Sequence, residues 1–135
     1  MQRSDAEALV NHMYGARTKG DIDTIMDRVT PDITLQLIGS TDHSKVAGRA
    51  EGAAAFRQAI KSLSEDFVFA NFKVLTLLAD GDNIAFHWRA DARHPKTDKT
   101  VATEVMDFWT LRDGKVASIT QACDTAMVNW MTAAG

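Results

Sequence analysis

Apolar positions in the first part of the chain recur at helical spacing, and those from residue 67 onward alternate. Leu9, Val10 and Met13 share one helix face, extended by Ala6 and Ala16. Ser4 followed by Glu7 predicts a capping box at its start, and Gly20 a stop. Asp21 is placed to cap a second helix in which Ile22, Ile25, Met26 and Val29 fall at i, i+3, i+4 and i+7, ended by Pro31. A short strand is expected over Ile33 to Ile38, a polar loop over Ser40 to Gly48, and a third helix from about Glu51 to Leu63 with Ala53, Phe56, Ile60 and Leu63 as its stripe.

The period then changes. Phe67, Phe69 and Val74 to Leu78 read as one long strand bent near Asn71, followed by a turn at Asp80-Gly81-Asp82. Strands are expected over Asn83 to Arg93, Thr100 to Leu111 and Val116 to Asp124. The loop at His94 to Asp98 and the turn at Arg112 to Lys115 separate them, and Thr125 to Met131 closes as a short helix. Helices first and an antiparallel meander after them predict an α+β fold, one domain over residues 1–135. A sheet curved over helices leaves a hollow at its open end where small molecules bind.

Composition narrows the function. A net charge of −3 with both signs interspersed argues against a general nucleic-acid-binding face. The single cysteine, Cys123, permits no internal disulfide, and no Cys/His spacing suits zinc. No run is long and apolar enough to span a bilayer, and the charged start has no signal-peptide core, so a cytoplasmic location is expected. Asp80 and Asp82 lack the glutamate that calcium binding would need, and Gly48-Arg49-Ala50-Glu51-Gly52 lacks the lysine and hydroxyl of a phosphate loop. Neither metal nor organic cofactor is expected.

Candidate chemistry comes from the strands. Val101, Thr103, Val105, Asp107, Trp109 and Leu111 share a face, placing one carboxylate amid apolar neighbours. Burial there raises a carboxyl pKa, which suits an acid or base. On the preceding strand His87, Arg89, Asp91 and Arg93 share one face, and Ile84, Phe86, Trp88 and Ala90 the other. Patterning makes the charged face wet. If the hairpin pairs residues summing to about 194, however, His87 meets Asp107 as a proton-trading pair, and a slip of one residue separates them. Phe86, Trp88 and Phe108 are candidates for an apolar outer patch, which predicts a homodimer.

Taken together, Gly20-Asp21-Ile22-Asp23, Pro31-Asp32-Ile33, Gly48-Arg49-Ala50-Glu51-Gly52 with Phe56, Asp107-Phe108-Trp109 and Asp113-Gly114-Lys115-Val116 resemble the nuclear transport factor 2-like superfamily and its SnoaL-like, polyketide cyclase-like group. The resemblance implies a cone of N-terminal helices packed on a curved, mostly antiparallel sheet. It also implies a cofactor-independent acid/base isomerase, cyclase or hydrolase acting on a small apolar organic ligand, or a non-catalytic binding or protein-interaction module of the same fold.

Within that resemblance Asp107 is similar in position to the protonated acid of the ketosteroid isomerase oxyanion hole. Tyr14 falls one position from that enzyme's tyrosine. The place of its general base falls at Leu37 or a neighbour, where no carboxylate stands. Arg89-Ala90-Asp91 is similar to the Arg-x-Asp pair of limonene epoxide hydrolase, with Gln121 where its second aspartate would be. The expected catalytic set is therefore Asp107, His87, Arg89 and Asp91. Tyr14, Trp109, Gln121 and Val105 are expected to line the substrate site.

Overall fold

A computed structural model describes residues 1–134. Helices α1 (Arg3–Lys19) and α2 (Ile22–Met26) precede strands β1 (Val29–Leu37) and β2 (Gly48–Glu51). Then come α3 (Ala53–Asp66), the meander β3 (Val68–Asp80), β4 (Asn83–His94), β5 (Lys99–Arg112) and β6 (Lys115–Ala122), and α4 (Thr125–Thr132). The strands form one sheet in the order β2-β1-β6-β5-β4-β3. All neighbours are antiparallel except β1 and β6. Helix α1 packs on β3 and α3 on β1, so the helices cover one face of the sheet. The core lies between, around Val10, Ile33, Phe56, Phe86, Trp88 and Trp109. The α+β cone is the architecture expected from the order of elements.

Local chemistry explains most of the boundaries. Gly20 ends α1 in the left-handed conformation, φ 70°, which costs little without a Cβ. Asp21 accepts from the Thr24 N–H at 3.2 Å and caps α2. Asn71 has φ 57° where the β3–β4 register shifts, the bend expected there.

Three expectations need correcting. Helix α1 begins at Arg3 with no side-chain cap, so Ser4 lies within its first turn, and Glu7 takes the Arg3 Nε–H at 3.1 Å instead of closing a capping box. Helix α2 stops at Met26, and Pro31 stands inside β1. The ladder to β6 skips from Val29 to Thr34, and pairing with β2 starts at Thr34, so the missing proline N–H falls where no bond is needed. Residues 48–51, read as the approach to a helix, form the edge strand β2.

Candidate functional site

The site is a cavity of about 110 Å³ between α1, α3 and the sheet. Its walls are almost wholly apolar. Met13, Leu35, Phe56, Leu63, Phe69, Val105 and Ile119 line it, with Val46 from the loop before β2 and Met127 and Val128 from α4. The polar side chains on its lining are Tyr14, Arg17, Thr103, Asp107 and Gln121, together with the two indoles Trp88 and Trp109.

Alternation along β5 turns Thr103, Val105, Asp107 and Trp109 inward, as read from the sequence. Asp107 is 3% exposed. Its Oδ1 accepts from Trp88 Nε1 at 3.0 Å and Gln121 Nε2 at 3.1 Å. Its Oδ2 accepts from the Tyr14 hydroxyl at 2.6 Å and Trp109 Nε1 at 3.1 Å. Gln121 Nε2 also donates to Tyr14 Oη at 3.0 Å. The register explains this convergence. Asp107 lies opposite Phe86 on β4 and Gln121 on β6, Trp88 lies two residues along β4, and α1 lowers Tyr14 over them.

Burial and hydrogen bonding act on Asp107 in opposite directions. Removal from water raises its pKa, while the donors from Tyr14, Trp88, Gln121 and Trp109 favour the anion. Burial prevails, and the pKa lies above the ordinary carboxylate value. The Tyr14 phenol is pushed well above its usual range by burial, and further by the charge and hydrogen bond of Asp107. Tyr14 is therefore a neutral hydroxyl at any physiological pH, donating a hydrogen bond to the Asp107 carboxyl group. Tyr14, Val105, Trp109 and Gln121, expected at the site, lie on this cavity with Asp107.

His87, Arg89 and Asp91 do not. The β4–β5 pairs sum to 193, not 194, so His87 stands opposite Met106 and Asp107 opposite Phe86. That one-residue difference sends His87 to the outer face, where Nε2 meets Glu104 Oε1 at 2.8 Å. Arg89 Nη2 donates to Asp91 Oδ1 at 2.9 Å on that face, and Asn71 Nδ2 donates to Asp91 Oδ2 at 2.7 Å. The Asn71 bond, then Arg89, hold the Asp91 pKa below its usual value. These residues form a surface network away from the cavity, and the epoxide-hydrolase-like arrangement is absent. The outer patch is corrected too: Phe86 and Trp88 are 1% and 0% exposed in the core, whereas Phe108 is 47% exposed.

The sequence reading missed Arg17 and the inward role of Trp88. Arg17 continues the Val10, Met13, Tyr14 row at i+7, a spacing that places a cation on the buried stripe of α1. Its Nη2 donates to the carbonyls of Leu63 at 3.0 Å and Phe67 at 2.8 Å, and its guanidinium lies 4.2 Å from the centre of the Phe69 ring. Burial lowers its pKa to about 10, which leaves it charged at neutral pH. Trp88 was legible from the alternation of β4, whose apolar face is the core. Among the described residues, no three His, Cys, Asp or Glu side chains converge to hold a metal.

No curated protein matches the sequence significantly. Solved structures do match in fold. An NTF2-like protein from Burkholderia xenovorans superposes with a TM-score of 0.77 at 22% identity, covering 98% of this chain and 99% of that one. A protein from Jannaschia sp. CCS1, named as a SnoaL-like polyketide cyclase, gives 0.79 at 18%, covering 97% and 93%. TerC, crystallised with polyporic acid, gives 0.79 at 17%, covering 94% and 96%. At these identities the likeness establishes the nuclear transport factor 2-like fold alone. The SnoaL-like domain family matches residues 10–119, most of the sheet and both long helices. The chain belongs to the SnoaL-like domain family.

Proposed function

We propose that this chain is a cofactor-independent acid/base enzyme, of isomerase, cyclase or hydrolase type, acting on a small, mostly apolar organic molecule. The observation that carries the reading is the 2.6 Å Tyr14–Asp107 hydrogen bond inside a mostly apolar cavity. The pair holds one mobile proton. With Asp107 ionised, the phenol donates to it, and Tyr14 Oη can accept from a substrate hydroxyl or enol. With Asp107 protonated, its own proton turns toward Tyr14 Oη, and the phenolic hydrogen is free for a substrate oxygen. Proton transfer through Tyr14 thus lets a sealed carboxyl act on a ligand it need not touch. The names of the Jannaschia cyclase and of TerC with its polyporic acid agree with an organic ligand in such a cavity.

Screening enolisable carbonyl compounds and epoxides for turnover tests the proposal. Asp107→Asn and Tyr14→Phe should each lower an activity so found by about 10²- to 10⁴-fold. An activity that survives both substitutions refutes the assignment.

One observation favours a binding module instead. Both Asp107 oxygens are already occupied by internal donors, so the network is complete without a substrate. On that reading Asp107 fixes the pocket floor, and ligands bind without turnover.

We also propose that the protein is cytoplasmic and homodimeric. The outer sheet face at Leu78, Met106 and Phe108, 67%, 56% and 47% exposed, is the surface a second copy would cover.

A further inference from the structure

We propose that Gln121 is a positioning residue: its side-chain amide fixes the direction of the Tyr14–Asp107 hydrogen bond and sets how readily the pair gives up a proton. Its part in turnover rests on the acid/base reading above, whereas its hold on the pair does not.

The two indoles, Trp88 and Trp109, donate to Asp107 alone. Gln121 Nε2 reaches both partners, Asp107 Oδ1 at 3.1 Å and Tyr14 Oη at 3.0 Å, with one hydrogen for each. Among the described residues, no other side chain donates to Tyr14 Oη.

An amide can present its nitrogen or its oxygen, and the contacts decide between them. With Asp107 ionised, Oδ1 has no hydrogen to give, and the phenolic hydrogen lies toward Oδ2. An amide oxygen in that place would face lone pairs on both sides. The nitrogen suits both contacts. In turn, a Tyr14 oxygen that accepts from Gln121 keeps its own hydrogen aimed at Asp107.

The fold holds that amide in place. Alternation along β6 turns Ile119 and Gln121 into the cavity. Gln121 stands opposite Asp107 on β5 and Leu37 on β1, and its carbonyl accepts the Ile38 N–H at 2.9 Å. Leu35, Leu37, Val105 and Ile119 share the sheet wall with it, so shape alone would be met by an apolar side chain, without the cost of desolvating an amide.

Proton transfer gives the amide its use. As a proton on Asp107 passes to Tyr14 Oη, the phenolic hydrogen passes to a substrate oxygen, and the negative charge left behind rests on Asp107. Gln121 donates at both atoms on that route and favours the charged form of each. Arg17 also favours an ionised Tyr14, through its charge, but its Nη2 bonds go to Leu63 and Phe67. The remaining titratable group on the cavity lining is Cys123, and α2, α3, β1, β3, β4 and α4 bring none there.

The carboxyl carbon-13 signal of Asp107, assigned by its loss in Asp107→Asn and followed against pH, tests the inference without a substrate. Gln121→Met keeps the length and removes both donors, so the Asp107 midpoint should move up by about one pH unit or more. A midpoint that stays put or falls overturns the inference. Should Gln121→Met fail to fold, Gln121→Glu keeps the size and sets a second carboxyl against Asp107. The two must then share a proton, and the last step should lie above the wild-type midpoint; a last step at the wild-type midpoint overturns the inference. Where a turnover is found, Gln121→Met should lower kcat by about 10- to 100-fold with KM little changed, and its pH profile should move upward with the carboxyl signal. Turnover that keeps its rate and pH profile in Gln121→Met overturns the inference and leaves the acid/base reading standing. A shifted carboxyl in a protein that turns nothing over sustains the hold of Gln121 on the pair and defeats the acid/base reading.

Discussion

Replacing Asp107 by asparagine sets burial against hydrogen bonding, with pH as the control. In acid the native side chain is neutral, and asparagine is close to its isostere. A protonated carboxyl can still accept both indole N–H groups while giving its own proton to Tyr14 Oη. The amide nitrogen accepts nothing. Turned toward Trp88 and Gln121, it faces the Trp88 N–H, and turned toward Tyr14 and Trp109, it faces the Trp109 N–H. Gln121 and the Tyr14 hydroxyl can rotate to accept, but an indole cannot. Either way one buried indole donor is orphaned, at a cost of about 1–3 kcal/mol. For a domain of this size, each kcal/mol is about 3–5 °C in Tm.

The pH dependence then gives the sign. Burial raises the folded-state pKa of Asp107 above that of the unfolded chain, ~3.9. Between the two values the folded protein holds a proton that the unfolded chain has released. The resulting stabilisation is complete below the unfolded pKa and is lost as pH rises through the folded one. Each pH unit crossed inside that window removes about 1.4 kcal/mol from the wild type and nothing from the Asn variant. Urea melts of both proteins from pH 4 to 8 should therefore show wild type ahead by about 1–3 kcal/mol in acid, with the gap narrowing toward neutrality. A gap that widens with pH would mean the four donors outweigh burial and the raised pKa is wrong. Equal stability in acid would mean the indole bonds contribute nothing.

Alanine at Arg89 or Asp91 breaks a partly exposed surface pair, so the thermal melt should barely move. Ligand binding in the cavity should be unaffected, and a binding defect in an NMR titration would argue that the outer network reaches the site. Gly20→Ala forces a Cβ into the left-handed cap at φ 70° and should cost about 1–2 kcal/mol, read from thermal melts. Met106→Glu with Phe108→Glu places charge on the outer patch and should yield monomers by sedimentation. A wild-type protein that is monomeric at micromolar concentration refutes the homodimer.

The meander and the inward row of β5 were legible because alternation is a property of one strand. Asp107 could be placed on a buried face from residues 101–111 alone. What one strand cannot report is its offset against the next. His87 and Asp107 were separated by a difference of one in the pair sum, set where β4 passes to β5 with His94 opposite Lys99. Pro31 misled for a related reason. A proline in a strand is excluded by the ladder, and only the pairing shows that the ladder skips its position. Strand β2, four residues long and half exposed, carries too little periodicity to see. The Tyr14–Asp107 bond spans 93 positions, and no local pattern foretells such a contact. Arg17 was within reach, since its spacing from Val10 was already that of the buried stripe.

The single parallel pairing has a consequence for how the chain is made. Strand β1 borders β2 on one side and β6 on the other, so its inner edge stays open until residues 115–122 arrive. During synthesis α1, β1, β2 and α3 all leave the ribosome before the strand that joins them to the meander. The Gln121 amide that ties Tyr14 to Asp107 belongs to that same late strand. A nascent chain cut before residue 115 therefore exposes an unpaired, apolar strand edge and has no finished cavity. Such a fragment should engage chaperones that the full chain, once released, no longer needs.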